Sequence, residues 1–208
     1  MTPVVTPVVR RVVVASGNPG KLAEIRALLS PLQIAVVSQG ELGIPDAEEP
    51  HFTFLENALA KARHASQLSG LPALADDSGI CVDALGGEPG VNSAYFAGRQ
   101  GTREERDARN NAKLLAAMEG EALKSAHYAC VMVLVRHAGD PQPLVAEGNW
   151  PGEITHRPRG ANGFGYDPLF LLPSLGKTAA ELEGAEKNRI SHRGLALQRL
   201  LERLRAGT

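Results

Sequence analysis

This chain of 208 residues has little of what marks several large classes of protein. Its only two cysteines, Cys81 and Cys130, lie in apolar runs, which favours buried thiols over a disulfide framework or a metal site. The net charge is −1, so the basic excess of a protein that binds polymeric nucleic acid is missing. No apolar run is long enough to predict a membrane span. These absences favour a cytoplasmic enzyme or small-molecule-binding protein.

The length fits one domain, or two small lobes, with room for a full core. We treat residues 1–208 as a single domain, in which residues 1–10 form a loose leader interrupted by Pro3 and Pro7. Strand-like and helix-like spacings alternate along the rest. This predicts an α/β fold: a mixed, twisted sheet with flanking helices, in two lobes around a central cleft.

The apolar spacing locates the elements. Capping boxes mark two helix starts, Thr53 with Glu56 and Thr102 with Glu105. The irregular stretch 151–165 is long enough to be functional. The predicted strands are 12–15, 33–37, 73–75, 80–82, 127–136 and 144–150, and the predicted helices are 21–29, 53–68, 102–118, 178–182 and 191–204.

Two adjacent aspartates, Asp76 and Asp77, directly follow the predicted strand 73–75. Unpaired neighbouring carboxylates are costly to bury, so a cation is expected beside them, most often a divalent metal with oxygen ligands. A polar turn explains the same residues, because Asp77 is followed by Ser78 and Gly79 and Asp-Ser-Gly is common in turns.

The segment between the first predicted strand and helix is rich in small residues. Small residues let a ligand approach the backbone, and a helix N-terminus followed by a lysine attracts phosphate. The spacing is not that of a Walker loop, and a tight turn with a capping residue is the alternative. The segment comprises Ser16, Gly17, Asn18, Pro19, Gly20 and Lys21.

Glu48 and Glu49 precede the second predicted helix. They either complement the helix dipole or supply one ligand of a Mg²⁺ site together with Asp77, since Mg²⁺ takes one or two carboxylates plus substrate phosphates. The sequence does not decide between the two glutamates.

Phe164 lies between Gly163 and Gly165 near a loop end. A phenylalanine flanked by glycines can stack on a flat base, which contributes about 1–3 kcal/mol. Asp167 could then hydrogen-bond to an edge of the base. A loop pinned by a buried Phe164 and Tyr166 is the alternative.

Basic residues begin the last predicted helix. Ser191 is a natural N-cap, which places His192 and Arg193 in the first turn and Lys187 just before it. Cations there oppose the helix dipole, so a nearby anion or ligand is indicated, and a solvated basic face is the alternative.

Together these segments resemble the inosine triphosphate pyrophosphatase-like family of nucleoside triphosphate pyrophosphatases. The resemblance covers residues 12–204 and is carried, in family order, by SGNPGK, TFLENALAKA, ALADDSGICVDALGG, GFGYDPLF, GKTAAEL and EKNRISHRG. It implies a homodimer of two-lobed α/β subunits with the site in the cleft. It also implies hydrolysis of ITP, dITP and XTP, with Mg²⁺, to the monophosphate and pyrophosphate.

The resemblance also assigns roles by position. Asp77 would be the catalytic residue that orients or deprotonates water, Asp76 would support it, and Glu48 and Asp77 would hold Mg²⁺. The substrate-binding residues would be Ser16, Gly17, Asn18, Pro19, Gly20, Lys21, Ser78, Phe164, Gly165, Tyr166, Asp167, Lys187, His192 and Arg193.

One position departs from the family pattern, because Tyr95 stands where an arginine is common; Arg99 or Arg103 could compensate. Two other functions stay open. One is a nucleotide-binding or sensing protein without turnover, and the other is a pyrophosphatase for a different modified nucleotide.

Overall fold

The computed structural model describes residues 10–206, and the chain forms two compact units. Unit 1 comprises the residues up to Asp77, Val131–Glu147 and the residues from Leu195 onward. Unit 2 comprises Ser78–Cys130 and Gly148–Gly194. Residues 1–9, most of the predicted leader, lie outside the described part.

A seven-stranded mixed sheet confirms the predicted α/β class. The strand order is β2-β1-β3-β4-β5-β6-β7; β1 pairs in parallel with β2 and β3, and β6 pairs antiparallel with β5 and β7. The spacing did not predict the short strands β6 and β7. The strands are β1 Arg11–Val14, β2 Ala35–Ser38, β3 Ala73–Val82, β4 Ser125–Val135, β5 Leu144–Ile154, β6 Phe170–Leu172 and β7 Lys177–Thr178.

Five α-helices accompany the sheet in the described part of the chain, and none is long and apolar enough to cross a membrane. The capping box of Thr102 with Glu105 is confirmed. The predicted helix 178–182 is wrong, because only one 3₁₀ turn, Ala179–Glu181, forms there. The helices are α1 Pro19–Leu29, α2 Phe54–Ser69, α3 Arg103–Ala117, α4 Gly184–Ile190 and α5 His192–Ala206.

The aspartate pair lies inside a strand. β3 runs without interruption from Ala73 to Val82, so the predicted break at residues 76–79 and the polar turn are both wrong. Asp76 and Asp77 are only 2% and 8% exposed, which is tolerable in a strand because cations from other elements pair with both carboxylates. β5 likewise continues to Ile154, which shortens the predicted long loop.

Alanines form the packing face of α2 in unit 1. Ala58, Ala62 and Ala65 are fully buried against apolar residues of β1, β3 and β4, among them Ala73 and Ala75. Leu55 of the same helix is 41% exposed. Small side chains on both surfaces let the helix approach the sheet closely.

A different core holds unit 2. Tyr128, Trp150 and Phe170 are buried there with aliphatic residues from β3, α3 and β5, and the Tyr128 and Phe170 rings meet edge to face at 4.7 Å. Aromatic side chains supply most of the apolar area of such a cluster. Each unit therefore has its own hydrophobic core.

Candidate active site

Asp77 is a buried carboxylate of unit 1 with two side-chain partners. Its Oδ1 lies 2.9 Å from the ammonium of Lys61, and its Oδ2 accepts a hydrogen bond of 3.3 Å from the Asn57 amide. Both partners come from α2, four residues apart, so they project from the same face of the helix. Burial raises the pKa of Asp77, and Lys61 offsets only part of that effect.

Lys61 joins Asp77 to the segment before α2. Its ammonium also lies 2.6 Å from Oε1 of Glu49, so one cation is shared by two carboxylates. Burial by itself would lower the pKa of Lys61, but the surrounding carboxylates, foremost Asp77, outweigh it and raise that pKa. Lys61 is therefore a permanent cation.

The neighbouring Asp76 has a lysine of its own. Oδ2 of Asp76 lies 2.8 Å from the Lys21 ammonium, and the Asp76 side chain is 1% exposed. Lys21 was predicted to hold phosphate, and in the structure it also neutralises this buried carboxylate. We call Lys21, Glu49, Lys61, Asp76 and Asp77 the charge cluster.

The two candidate glutamates differ in their contacts. Glu49 reaches the charge cluster through Lys61, whereas the side chain of Glu48 is exposed and forms no hydrogen bond or ion pair with the described residues. This difference favours Glu49 over Glu48 as the partner of Asp77.

The predicted phosphate segment forms a capped helix start. Asn18 is the N-cap of α1, and its Oδ1 accepts hydrogen bonds from the N–H groups of Gly20 at 3.0 Å and Lys21 at 3.4 Å. Pro19 occupies the first turn, and the hydroxyl of Ser16 accepts the Asn18 N–H. Two of the first-turn N–H groups expected for phosphate are therefore already paired within the helix.

The donor set of the charge cluster fits a magnesium ion. Among the side chains that the structure describes, no three His, Cys, Asp or Glu lie together as a preformed metal site. Asp77 and Glu49 nevertheless present carboxylate oxygens to one shared cation. Because Mg²⁺ often binds through one or two carboxylates plus substrate phosphates, these donors suit a metal that arrives with a nucleotide.

The predicted base-stacking residue of unit 2 is surrounded by cations. The Phe164 ring is half-buried, and the charged groups of Arg103, Lys187 and Arg193 lie 4.5, 5.2 and 6.0 Å from its centre. Lys187 is paired with the buried Asp167. A half-exposed aromatic ring among donors is a suitable place for a polar heterocycle.

Asp167 supports the loop that carries Phe164. Its Oδ2 accepts the Phe164 N–H at 2.8 Å and also contacts Lys187. Gly163 has a φ of 77°, and a Cβ there would collide with the Asp167 carboxylate, so only glycine fits. These contacts engage the carboxylate that was expected to face the edge of the base.

His192 and Arg193 are buried at the start of α5. The His192 ring stacks on Tyr128, with centroids 4.7 Å apart and planes 9° apart, and Arg193 donates to the Ser78 hydroxyl at 3.2 Å. Ser191 accepts the Gly194 N–H, as predicted for an N-cap. Ser78, Arg193 and Phe164 are thereby brought together within unit 2.

Tyr166 and Tyr95, which the sequence analysis singled out, contact other protein groups in the structure. Tyr166 is 3% exposed and donates to the Ser93 carbonyl at 2.8 Å, so it belongs to the core rather than to an open pocket wall. Tyr95, at the position that departs from the family pattern, has the Arg99 guanidinium 4.2 Å from its ring centre.

The sequence patterns gave no role to Asn57 or Lys61, the two partners of Asp77. Both lie in the stretch TFLENALAKA, four residues apart, on the side of α2 that also carries the buried alanines. A polar pair at that spacing beside an apolar stripe was the available signal.

The comparisons with known proteins agree with one another. A model of the Ham1 family matches residues 12–203. The chain is 66% identical over 196 residues to the dITP/XTP pyrophosphatase of Ralstonia nicotianae, covering 94% of this chain and 97% of that protein. It is 61% identical over 194 residues to the dITP/XTP pyrophosphatase of Burkholderia pseudomallei, with 93% of both proteins covered.

Two solved structures are also similar over nearly the whole chain. The HAM1 protein of Coxiella burnetii matches with a TM-score of 0.88 and 49% identity, over 93% of this chain and 98% of that one. The Staphylococcus aureus Ham1 protein matches with a TM-score of 0.84 and 35% identity, over 95% and 100%. Because the family model and these relatives span nearly the whole chain, the protein belongs to the Ham1 family.

Proposed function

We propose that this protein hydrolyses non-standard purine nucleoside triphosphates, namely ITP, dITP and XTP, to the monophosphate and pyrophosphate, and so removes them from the nucleotide pool. The relatives at 66% and 61% identity are named dITP/XTP pyrophosphatases, which supports this reaction. A pyrophosphatase acts on the bond between the α- and β-phosphates, so water attacks the α-phosphorus.

The charge cluster is the observation that carries this proposal furthest. Asp77 is buried, held by Lys61 and Asn57, and next to a second buried carboxylate. A fixed carboxylate of raised pKa is suited to orient a water and accept its proton. We therefore assign Asp77 as the catalytic base or orienter, and Asp76 as its support.

Mg²⁺ would be held by Asp77 and Glu49, the two carboxylates that share Lys61. When bound, it supplies charge neutralisation for the phosphates and lowers the pKa of a bound water. Glu48 was the glutamate expected from the family resemblance, and the contacts described above favour Glu49 in its place.

Lys21 and Lys61 provide the cations for the triphosphate. Negative charge builds on the leaving pyrophosphate as the α–β bond breaks, and fixed ammonium groups stabilise it without reorganisation. The loop from Ser16 to Gly20 positions Lys21 at the first turn of α1. Because both lysines are already paired with carboxylates, their positions are fixed before substrate binds.

The base is assigned to unit 2. Phe164 would stack on the ring, and Lys187 or Arg193 would donate to the 6-keto oxygen of hypoxanthine or xanthine. Adenine carries an amine at that position, so these donors would be left unpaired, which disfavours ATP by several kcal/mol. Gly165 and Asp167 shape the loop, and Tyr166 anchors it. Ser78 accepts a hydrogen bond from Arg193, and His192 is fixed by stacking on Tyr128.

Steady-state hydrolysis of ITP, XTP, GTP and ATP with Mg²⁺ tests the proposal. We expect ITP and XTP to be preferred over ATP, with pyrophosphate as the first product, because the cluster serves the α–β bond and the base donors suit a 6-keto group, which adenine lacks. Products are resolved by ion-exchange chromatography. Orthophosphate as the first product, or no turnover of ITP and XTP by folded protein, would overturn the proposal.

Paired glutamine variants test the metal assignment. Glu49→Gln should raise the Mg²⁺ concentration for half-maximal turnover by about tenfold or more, because a neutral amide is a weaker ligand than a carboxylate. Glu48→Gln is the matched control, and it should leave the Mg²⁺ dependence unchanged. The reverse result would restore Glu48 as the ligand.

We also propose a homodimer, which the family resemblance predicts, and a cytoplasmic location, which the composition predicts.

A further inference from the structure

One face of α3 contacts the loop that carries Phe164. Arg103, Asp107 and Asn111 are spaced four residues apart, so they lie along the same side of the helix. We call these three residues the α3 clamp.

The clamp holds the backbone of a single residue from both sides. Oδ2 of Asp107 accepts the Gly165 N–H at 3.0 Å, and Nδ2 of Asn111 donates to the Gly165 carbonyl at 2.9 Å. Gly163 and Gly165 both have positive φ angles, 77° and 61°, which only glycine adopts readily. A loop with two such glycines gains its order from external contacts of this kind.

The third member of the clamp covers the ring itself. The Arg103 guanidinium lies 4.5 Å from the centre of Phe164, closer than Lys187 or Arg193. Arg103 also forms an ion pair with Asp107, with 4.0 Å between Nε and Oδ2, so the guanidinium lies between this carboxylate and the ring. The guanidinium therefore fixes the orientation of the Phe164 side chain through a cation–π contact.

We propose that the α3 clamp positions Phe164 for the purine base and thereby sets the affinity of the enzyme for its nucleotide; this inference rests on the function proposed above. The three residues are positioning residues. Binding is tighter when a loop is ordered in advance, because less conformational entropy is lost on association.

Alanine variants of the clamp should raise the KM for ITP while leaving kcat nearly unchanged. Arg103→Ala and Asn111→Ala should each raise the KM for ITP about three- to tenfold, as expected for loss of one cation–π contact or one hydrogen bond. The kcat should stay within about twofold of the wild type, because the base is remote from the reacting phosphorus. Arg109→Ala, on the same helix but bonded to the Gln100 carbonyl, is the control with unchanged KM.

A double-mutant cycle with Phe164→Ala tests whether the clamp acts through the ring. If it does, Arg103→Ala has little further effect on kcat/KM once the ring is gone. Amide exchange supplies a readout apart from turnover: Asn111→Ala should speed exchange in residues 163–166, with the rest of unit 2 unchanged.

The outcomes separate the two proposals. If the wild type turns over ITP and both clamp variants match Arg109→Ala in KM, the clamp is wrong and the proposed function stands. If Arg103→Ala and Phe164→Ala effects add fully, the clamp does not act through the ring. If the folded wild type neither hydrolyses ITP nor binds IMP in calorimetry, both proposals fail. Arg103 is partly exposed, so Arg103→Ala should fold and give a measurable KM for ITP even if Asn111→Ala does not fold.

Discussion

Asp77→Asn should lower the turnover of ITP by about 10²–10⁴-fold, the range associated with a positioned acid–base group. Asparagine keeps the size of the side chain and its contact with Asn57, but it neither accepts a proton from water nor carries the charge that a metal requires. Turnover is measured with saturating ITP and Mg²⁺. If the folded variant kept turnover close to that of the wild type, the assignment of Asp77 would be wrong.

Asp77→Asn should lose activity without losing thermal stability. Because burial raises the pKa of Asp77, its ionised form costs folding stability at pH values above that pKa. Asparagine removes the buried charge while Lys61 keeps its pairing with Glu49, so we expect a melting temperature no lower than that of the wild type at pH 7. Loss of activity would then not reflect unfolding.

Asp140→Asn is the matched contrast. Hydrogen bonds from Arg136 hold the pKa of the buried Asp140 well below its usual range, so its ionised form stabilises the fold. That stabilisation is present above the unfolded pKa of about 4 and is lost as the pH falls below it. Asp140→Asn should therefore lower the melting temperature at pH 7 and leave the kcat of the folded enzyme unchanged.

Lys61→Met should have the second-largest effect, a loss of turnover of about 10²-fold. The ammonium is shared by Asp77 and Glu49, so its removal leaves the buried Asp77 without its ion-pair partner from α2. Leaving one partner of a buried ion pair uncompensated also costs about 3 kcal/mol of stability. Turnover and chemical denaturation are measured on the same preparation.

The pH profile identifies the cause of that loss. Without Lys61 the pKa of Asp77 rises further, so the acid limb of the kcat profile should move to higher pH. Lys177→Met, a change at an exposed lysine of β7, should alter neither turnover nor profile. A Lys61→Met enzyme with wild-type turnover and an unshifted acid limb would contradict the role of this lysine.

Local signals predicted much of the fold. The capping box at Thr102, the N-cap Ser191 and the apolar run of β4 each specify an element through neighbours a few residues away, and each element formed. β3 was divided in the prediction because two aspartates contradict strand propensity. Their strand conformation depends on Lys21 and Lys61, which lie 55 and 16 residues from their partners along the chain, and spacing rules do not detect such pairs.

The sequence predicted which residues belong to the candidate site better than it predicted the ion pairs and hydrogen bonds between them. Sequence motifs pointed to Asp77, Lys21 and Phe164, but they did not show that Asp76 neutralises Lys21 or that Asp167 holds the Phe164 loop. Glu49 was distinguished from Glu48 only by a contact with Lys61. Such pairings are set by tertiary packing, so adjacent residues of the same type remain equivalent until the fold is known.

The small side chains on the alanine face of α2 determine whether the helix lies close enough to the sheet for its polar residues to reach Asp77. Asn57 and Lys61 contact Asp77, and each is followed in sequence by an alanine, Ala58 and Ala62. Both alanines are fully buried against the sheet. A larger side chain there would push the helix outward and lengthen two contacts of about 3 Å that tolerate little displacement. The methyl groups of Ala58 and Ala62 take no part in the chemistry, but they set the distance between α2 and the sheet. Substituting a larger apolar residue at either position would lower activity as much as the loss of a charged residue.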